Sequence, residues 1–241
     1  MYQAQIAECC KVLRLSSAIA QAGIHTSAET HQEFLLKVLQ DEIARRQEAK
    51  KVRLINNAGF YSIKTFDDFS FDEVTIPTAL SPELIKSGTF IDNKQNLILY
   101  GNVGTGKTHM ATAIGVNACN QGKEVKFFRT AALVNYLSEQ KACGNLTKVF
   151  KKLEKASLII LDEWGYVPLD RDGARLLFQV VSEAYERRSL ILTTNLQFSK
   201  WVTIFYDEQM TASIIDRIVH YGHLVIFDGK SKRLKGALMQ N

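Results

Sequence analysis

The chain has 241 residues, 46% of them hydrophobic and 23% charged, with a formal net charge of +5. This is enough apolar material for one α/β domain and a small appendage, so disorder throughout is excluded, and the mild basicity leaves room for a polyanionic partner without requiring one. No apolar run reaches membrane-span length, no basic-then-apolar leader opens the chain, and Cys9, Cys10, Cys119 and Cys143 have neither metal-ligand spacing nor the pattern of a secreted disulfide framework; a reducing, cytoplasmic compartment and no membrane association are expected.

Residues 1–60 read as helical. Ile6, Val12, Leu13, Leu15 and Ile19 supply apolar spacing in the first part, and Phe34, Leu35, Leu39 and Ile43 in the second. Thr30-His31-Gln32-Glu33 is a capping-box pattern that starts the second helix. That helix carries Lys37, Arg45, Arg46, Lys50, Lys51 and Arg53, which suit a solvated face as well as a nucleic-acid or partner surface. Too small for a large core of its own, the piece is expected to be an accessory domain. Asn57-Ala58-Gly59 closes the helical pattern, and residues 61–76 read as a linker in which Phe66, Phe69 and Phe71 alternate with polar positions and dock on the next domain. Ser81-Pro82-Glu83-Leu84 is a helix start, with Gly88 as its stop.

From Leu97 strands and helices alternate: strand 97–100, helix 107–121, strand 125–128, helical material 130–155, strand 158–161, helix 172–187 and strand 190–193. A short apolar-aromatic segment near Trp201–Phe205, a helix near 211–221, a strand at 223–227 and a basic tail follow. Strands separated by helical crossovers imply an α/β fold with a mostly parallel sheet covered on both faces, and residues 77–241 are expected to form it.

Three stretches carry chemistry. The apolar strand ending at Tyr100 runs into Gly101-Asn102-Val103-Gly104-Thr105-Gly106-Lys107-Thr108-His109, a phosphate-binding loop opening a helix. Its glycines let successive N–H groups converge on a phosphate, the helix N-terminus favours anions, Lys107 would reach the β and γ phosphates of a nucleotide, and Thr108 would ligate magnesium. The apolar strand ending in Asp162-Glu163 lies some 55 residues downstream; Asp162 would hold Mg2+, and Glu163 would orient and polarise the water attacking the γ-phosphorus. The strand ending Thr193-Thr194-Asn195 offers Asn195 to the same water or to the γ-phosphate. Asp216-Arg217 by itself reads as a surface ion pair. His220-Tyr221-Gly222-His223 has too few companions for a metal site, and Trp164 and Trp201 read as packing residues.

With these residues in view the chain resembles an AAA+ ATPase, and within that superfamily the IstB/DnaC-like group of transposition helpers and helicase loaders. Walker A is Gly101 to Thr108, Walker B is Leu158 to Glu163, and sensor 1 is Asn195. The resemblance to IstB is closer. It includes Leu13-Arg14-Leu15, Phe34-Leu35-Leu36, Ala58-Gly59-Phe60, Lys64 to Phe69, Asp162 to Leu169 and Ile215 to His220, nearly the whole chain. It implies an AAA+ P-loop three-layer fold, Arg217 as an arginine finger for a neighbouring subunit, and a ring or helical head-to-tail homo-oligomer on duplex DNA. It also implies a transposase as partner of the N-terminal helices, and hydrolysis that dissolves the assembly. The helical region 130–150 resembles the extra helix with which such proteins grip DNA. Lys141, Lys148, Lys151 and Lys152 lie in or just beyond it, in the most basic internal stretch, so phosphate contact and duplex deformation are expected rather than base reading. Two departures stand out. Only Asp228–Asn241 follow the last strand, too little for a full C-terminal lid, and Ser231-Lys232-Arg233 stands where such chains usually have Ser-Tyr-Arg, so Arg233 is given no sensor role. A DnaC-like helicase loader, or a nucleotide-binding DNA scaffold without useful turnover, would share these motifs.

Overall fold

The computed structural model describes residues 2–235. The chain divides into two compact units, Met1–Arg53 and Leu54–Asn241. The first holds α1 (Tyr2–Val12), α2 (Ala18–His25) and most of α3 (His31–Ala58). Where one run of helical pattern is expected, Arg14 takes a left-handed φ of 53° and separates α1 from α2. The capping box forms: Thr30 Oγ1 accepts from the Glu33 N–H at 3.1 Å, and the Glu33 carboxylate accepts from the Glu29 N–H at 2.9 Å. The small core holds Cys10, Ala20, Ala22 and Val38 together with the buried Glu42. Glu42 accepts from the Ser16 N–H at 3.0 Å and from Arg46 Nε at 2.8 Å, and the Ser16 bond chiefly holds its carboxyl below the usual range. Leu35, Leu39 and Ile43 are exposed, contrary to the apolar spacing. The apolar stripe on α3 is broader than the buried patch, and Val38 and Glu42 turn inward instead.

The second unit begins within α3, where Leu54, Ile55 and Ala58 pack on its core. The stretch read as a linker is packed as well. Phe66, Phe69 and Phe71 form an aromatic cluster with centroids 5.0–6.1 Å apart, and β1 (Val74–Thr75) adds an edge strand. Then come α4 (Pro82–Ser87), α5 (Thr89–Asp92), β2 (Asn96–Gly101), α6 (Lys107–Asn120), β3 (Val125–Arg129), α7 (Thr130–Ala142) and α8 (Leu146–Leu153). They are followed by β4 (Leu158–Asp162), α9 (Arg171–Ala184), β5 (Ser189–Thr194), α10 (Val202–Phe205), α11 (Glu208–His220), β6 (Gly222–Phe227) and α12 (Lys232–Lys235). Local signals set many boundaries. Ser81 caps α4 by accepting from the Leu84 N–H at 3.3 Å, and Gly88 ends it at φ 72°. Asp170 and Asp207 cap α9 and α11 in the same way as Ser81. The helical material 130–155 is two helices, because Gly144 at φ 69° turns the chain between them.

The sheet order is β1-β6-β2-β5-β4-β3, parallel except for β1 against β6. Alternation along each strand divides the core. Ile98, Ile159, Leu161, Leu190 and Leu192 face one way, with Leu133, Leu177, Trp201, Ile214 and Ile218 from the covering helices. Leu97, Leu99, Leu158, Ile160, Ile191 and Phe227 face the other way, with Met110, Ile114 and Phe90. Burial on both faces explains why these strands read as continuous apolar runs. Trp164 and Trp201 are fully buried with centroids 5.2 Å apart, as packing residues should be. Beyond β6, α12 is the only helix among the described residues, and 236–241 lie outside them. No helix among the described residues is long and apolar enough to cross a membrane.

Candidate functional site

The carboxyl ends of β2, β5 and β4 lie side by side in that order, where a parallel sheet presents its loops. The loop after β2 is a tight cradle in which Gly101, Gly104 and Gly106 all have positive φ (152°, 80° and 107°). At two of them the packing also excludes a side chain. A Cβ on Gly101 would lie 2.4 Å from the Phe227 carbonyl oxygen on β6, and one on Gly104 would lie 2.2 Å from Ser231 Oγ. The segment after β6 thus seats directly on the loop, and the Lys232 N–H donates to the Gly104 carbonyl at 2.9 Å.

Lys107, 6% exposed, folds back into the loop and donates to the carbonyls of Gly101 at 2.7 Å and Asn102 at 2.6 Å. Burial is the main cause that brings its pKa down to about 8; Asp162 pulls upward and Arg233 adds a smaller downward push. Thr105 Oγ1 donates to Asn102 O at 2.8 Å and stiffens the turn. Asn102 and Val103 are exposed at the loop tip. His109 Nε2 sits 2.8 Å from Thr65 O, its ring 5.4 Å from that of Phe69.

Asp162, buried at the end of β4, faces this loop across β5: Thr108 Oγ1 donates to its Oδ1 at 2.9 Å and Thr193 Oγ1 to the same oxygen at 2.5 Å. A hydroxyl and a carboxylate beside a phosphate cradle are the hard oxygen donors that magnesium takes, so the residues present fit the ion. Glu163 is exposed at φ 58°, its carboxylate 3.6 Å from Arg129 Nε, and the Arg129 guanidinium lies 4.4 Å from the centre of the Tyr61 ring. A cleft of about 400 Å³ joins these parts, lined by Lys64, Gly104, Gly106, Lys107, Thr108, His109, Glu163, Tyr166, Thr193, Lys232 and Arg233 among others. Four cations against one lining carboxylate, Glu163, suit a polyphosphate.

The structure brings together Gly101 to His109, Asp162 and Glu163, but not every residue marked by the sequence. Asn195 is exposed beyond β5 and does not line the cleft, whereas Thr193, passed over in the sequence, does. Arg217 is held on α11 by the carbonyl of Ser213 at 2.8 Å and by its hydroxyl, with its guanidinium 5.3 Å from the Phe178 ring centre, and is not among the cleft residues. Lys232 and Arg233, which stand at the departure from Ser-Tyr-Arg and were given no site role from the sequence, also line the cleft. Among the lysines marked for DNA, Lys148, Lys151 and Lys152 share the exposed face of α8 opposite the buried Val149, Phe150 and Leu153. Lys148 donates to Asn145 at 3.0 Å, and Lys141 is ion-paired with Asp172 at 3.3 Å. Among the described residues no group of His, Cys, Asp or Glu is arranged to hold a metal by itself, and all four cysteines are free.

The profile of a family described as IstB-like ATP binding protein matches residues 7–239. Among relatives, the ATP-binding protein of insertion sequence IS5376 from Geobacillus stearothermophilus is 33% identical over 228 residues, 94% of this chain and 90% of the relative. That of insertion sequence IS21 from Pseudomonas aeruginosa is 33% identical over 208 residues, 85% and 77% of the two chains. Among solved structures, AMPPCP-bound DnaA from Aquifex aeolicus aligns with a TM-score of 0.55 at 21% identity, covering 71% of this chain and 52% of that one. The DnaC helicase loader aligns with a TM-score of 0.53 at 20% identity, covering 73% and 98%. At such identities the likeness bears on the fold alone, an α/β arrangement built on a mostly parallel central sheet.

Proposed function

This chain belongs to the IstB-like ATP-binding protein family, and from that premise we propose that it is an ATP-hydrolysing helper of DNA transposition. It would assemble head to tail on duplex DNA with ATP, deliver that DNA to a transposase, and disassemble on hydrolysis. The observation that carries the reading is the contact across the strand ends, where Thr108 of the phosphate loop and Asp162 share a 2.9 Å hydrogen bond with Glu163 as the next residue. The insertion-sequence origin of the relatives supports the transposition context.

In this reading Lys107 exchanges its two carbonyl partners for the β and γ phosphate oxygens, and the loop N–H groups hold the phosphates. Magnesium, held by Thr108 and Asp162, would neutralise charge on those phosphates. Glu163 takes a proton from the attacking water as its oxygen bonds to the γ-phosphorus; the bond from γ-phosphorus to the β-γ bridging oxygen breaks, giving ADP and phosphate. Arg217 of a neighbouring subunit faces the developing charge. The exposed lysines of α8, with Lys141 beside them, meet the DNA backbone, and the N-terminal helices meet the transposase.

The test separates binding from turnover. Lys107→Ala should lose ATP binding and ATP-dependent assembly on DNA, whereas Glu163→Gln should bind ATP, hydrolyse it at least about a hundredfold more slowly, and persist on DNA. Hydrolysis by Glu163→Gln at the wild-type rate would refute the assignment of the base.

A further inference from the structure

We infer that Thr193 is a positioning residue that holds both carboxylate residues of the site, acting through Asp162 and Glu163; the inference rests on the proposed roles of those two. Thr193 stands near the end of β5, which lies between the phosphate-loop strand and the carboxylate strand, and is 2% exposed. Its Oγ1 donates to Asp162 Oδ1 at 2.5 Å and accepts from the Glu163 N–H at 3.0 Å, while its carbonyl accepts from the Trp164 N–H at 2.8 Å. Three consecutive residues are thus tied to one.

The middle residue needs the restraint. Glu163 has a left-handed φ of 58°, a conformation that a non-glycine residue keeps only where its surroundings over-determine it. Thr193 holds the backbone at its own N–H and at the next one, and Trp164 is wedged against Trp201 and Phe205. The hydroxyl has one proton to give and lone pairs to receive, and here it uses both functions. By spending its proton on the Asp162 oxygen that Thr108 also meets, it aims that carboxylate at the loop. Serine can do both; valine, of nearly the same shape, can do neither.

The experiment uses the full chain with Thr193→Val and Thr193→Ser, measuring ATPase kcat and KM, thermal unfolding, and affinity for a fluorescent ATP analogue with Mg2+ and with chelator. Thr193→Ser should stay within about threefold of wild type in every reading. Thr193→Val should lose about tenfold or more in kcat with KM within about threefold, the pattern of a contact that matters in the transition state. Its analogue affinity in chelator should match wild type while the gain on adding Mg2+ shrinks. Wild-type behaviour of the valine variant, or equal impairment of the serine variant, would overturn the inference. If the valine variant fails to fold, Thr193→Ala against Thr193→Ser makes the same comparison. If the wild-type protein binds the analogue but hydrolyses no ATP, the proposed function has failed, and the Mg2+ arm alone decides the role of Thr193.

Discussion

Lys107 and Thr193 mark the two ends of what a residue-by-residue reading delivers. Lys107 is identifiable from its place in a glycine-rich loop, and its environment adds a titration. Buried against its own loop carbonyls, it has a pKa lowered from 10.5 to about 8. The folded chain then binds fewer protons than the unfolded chain between pH 8 and 10.5, so this group destabilises the fold below pH 8, and the penalty fades as pH rises to 10.5. Phosphate oxygens favour the ammonium form and raise the pKa again. ATP binding should therefore take up almost no proton near pH 7 but approach one proton by about pH 9.5, with affinity falling as pH rises above 8. Calorimetry in two buffers of different ionisation enthalpy checks this, and pH-independent uptake would contradict it. Thr193 was not legible: Thr193-Thr194-Asn195 offers three polar residues, and only the place of β5 between β2 and β4 selects the one that meets Asp162.

At the scale of elements, α8 is the clearest amphipathic piece of the second unit. Leu146, Val149, Phe150 and Leu153 fall on the core side, leaving Lys148, Lys151 and Lys152 in solvent. Reversing all three charges to Glu should weaken duplex DNA binding and reduce the slope of log affinity against log salt by about 2–3, since each phosphate contact contributes roughly 0.9. An unchanged slope in a salt titration would leave these lysines as a solvated face. Lys141, engaged with Asp172, should matter less. The N-terminal boundary reads less well. Leu54, Ile55 and Phe60 pack against the core of the second unit, although helix propensity suggested a separate helical piece up to residue 60, whereas Phe66, Phe69 and Phe71 dock on that core as their alternation with polar positions suggested. Helical periodicity reports which side is apolar and not what covers it.

For the whole molecule, the decisive expectation concerns Arg217, which its own chain holds on Phe178 and Ser213, away from the residues lining the cleft. If it completes a neighbour's site, Arg217→Ala and Glu163→Gln should each be nearly inactive alone. An equimolar mixture should recover about a quarter of wild-type ATPase activity, because one interface in four then pairs an intact Glu163 with an intact Arg217. No recovery in mixed assemblies that still form would place the finger elsewhere. The sequence by itself determined the phosphate loop, the paired acids, the helix starts at Thr30 and Ser81, and the two-sided burial of the strands. Each of these arises within a few residues, from a positive φ, a capping hydrogen bond or a continuous apolar run. Only the tertiary structure decided the strand order, the clamp of Thr193 on Asp162 and Glu163, the seating of Ser231 and Lys232 on Gly104, and which lysines are already paired. These depend on contacts between residues far apart in the chain, and no local spacing encodes such a meeting.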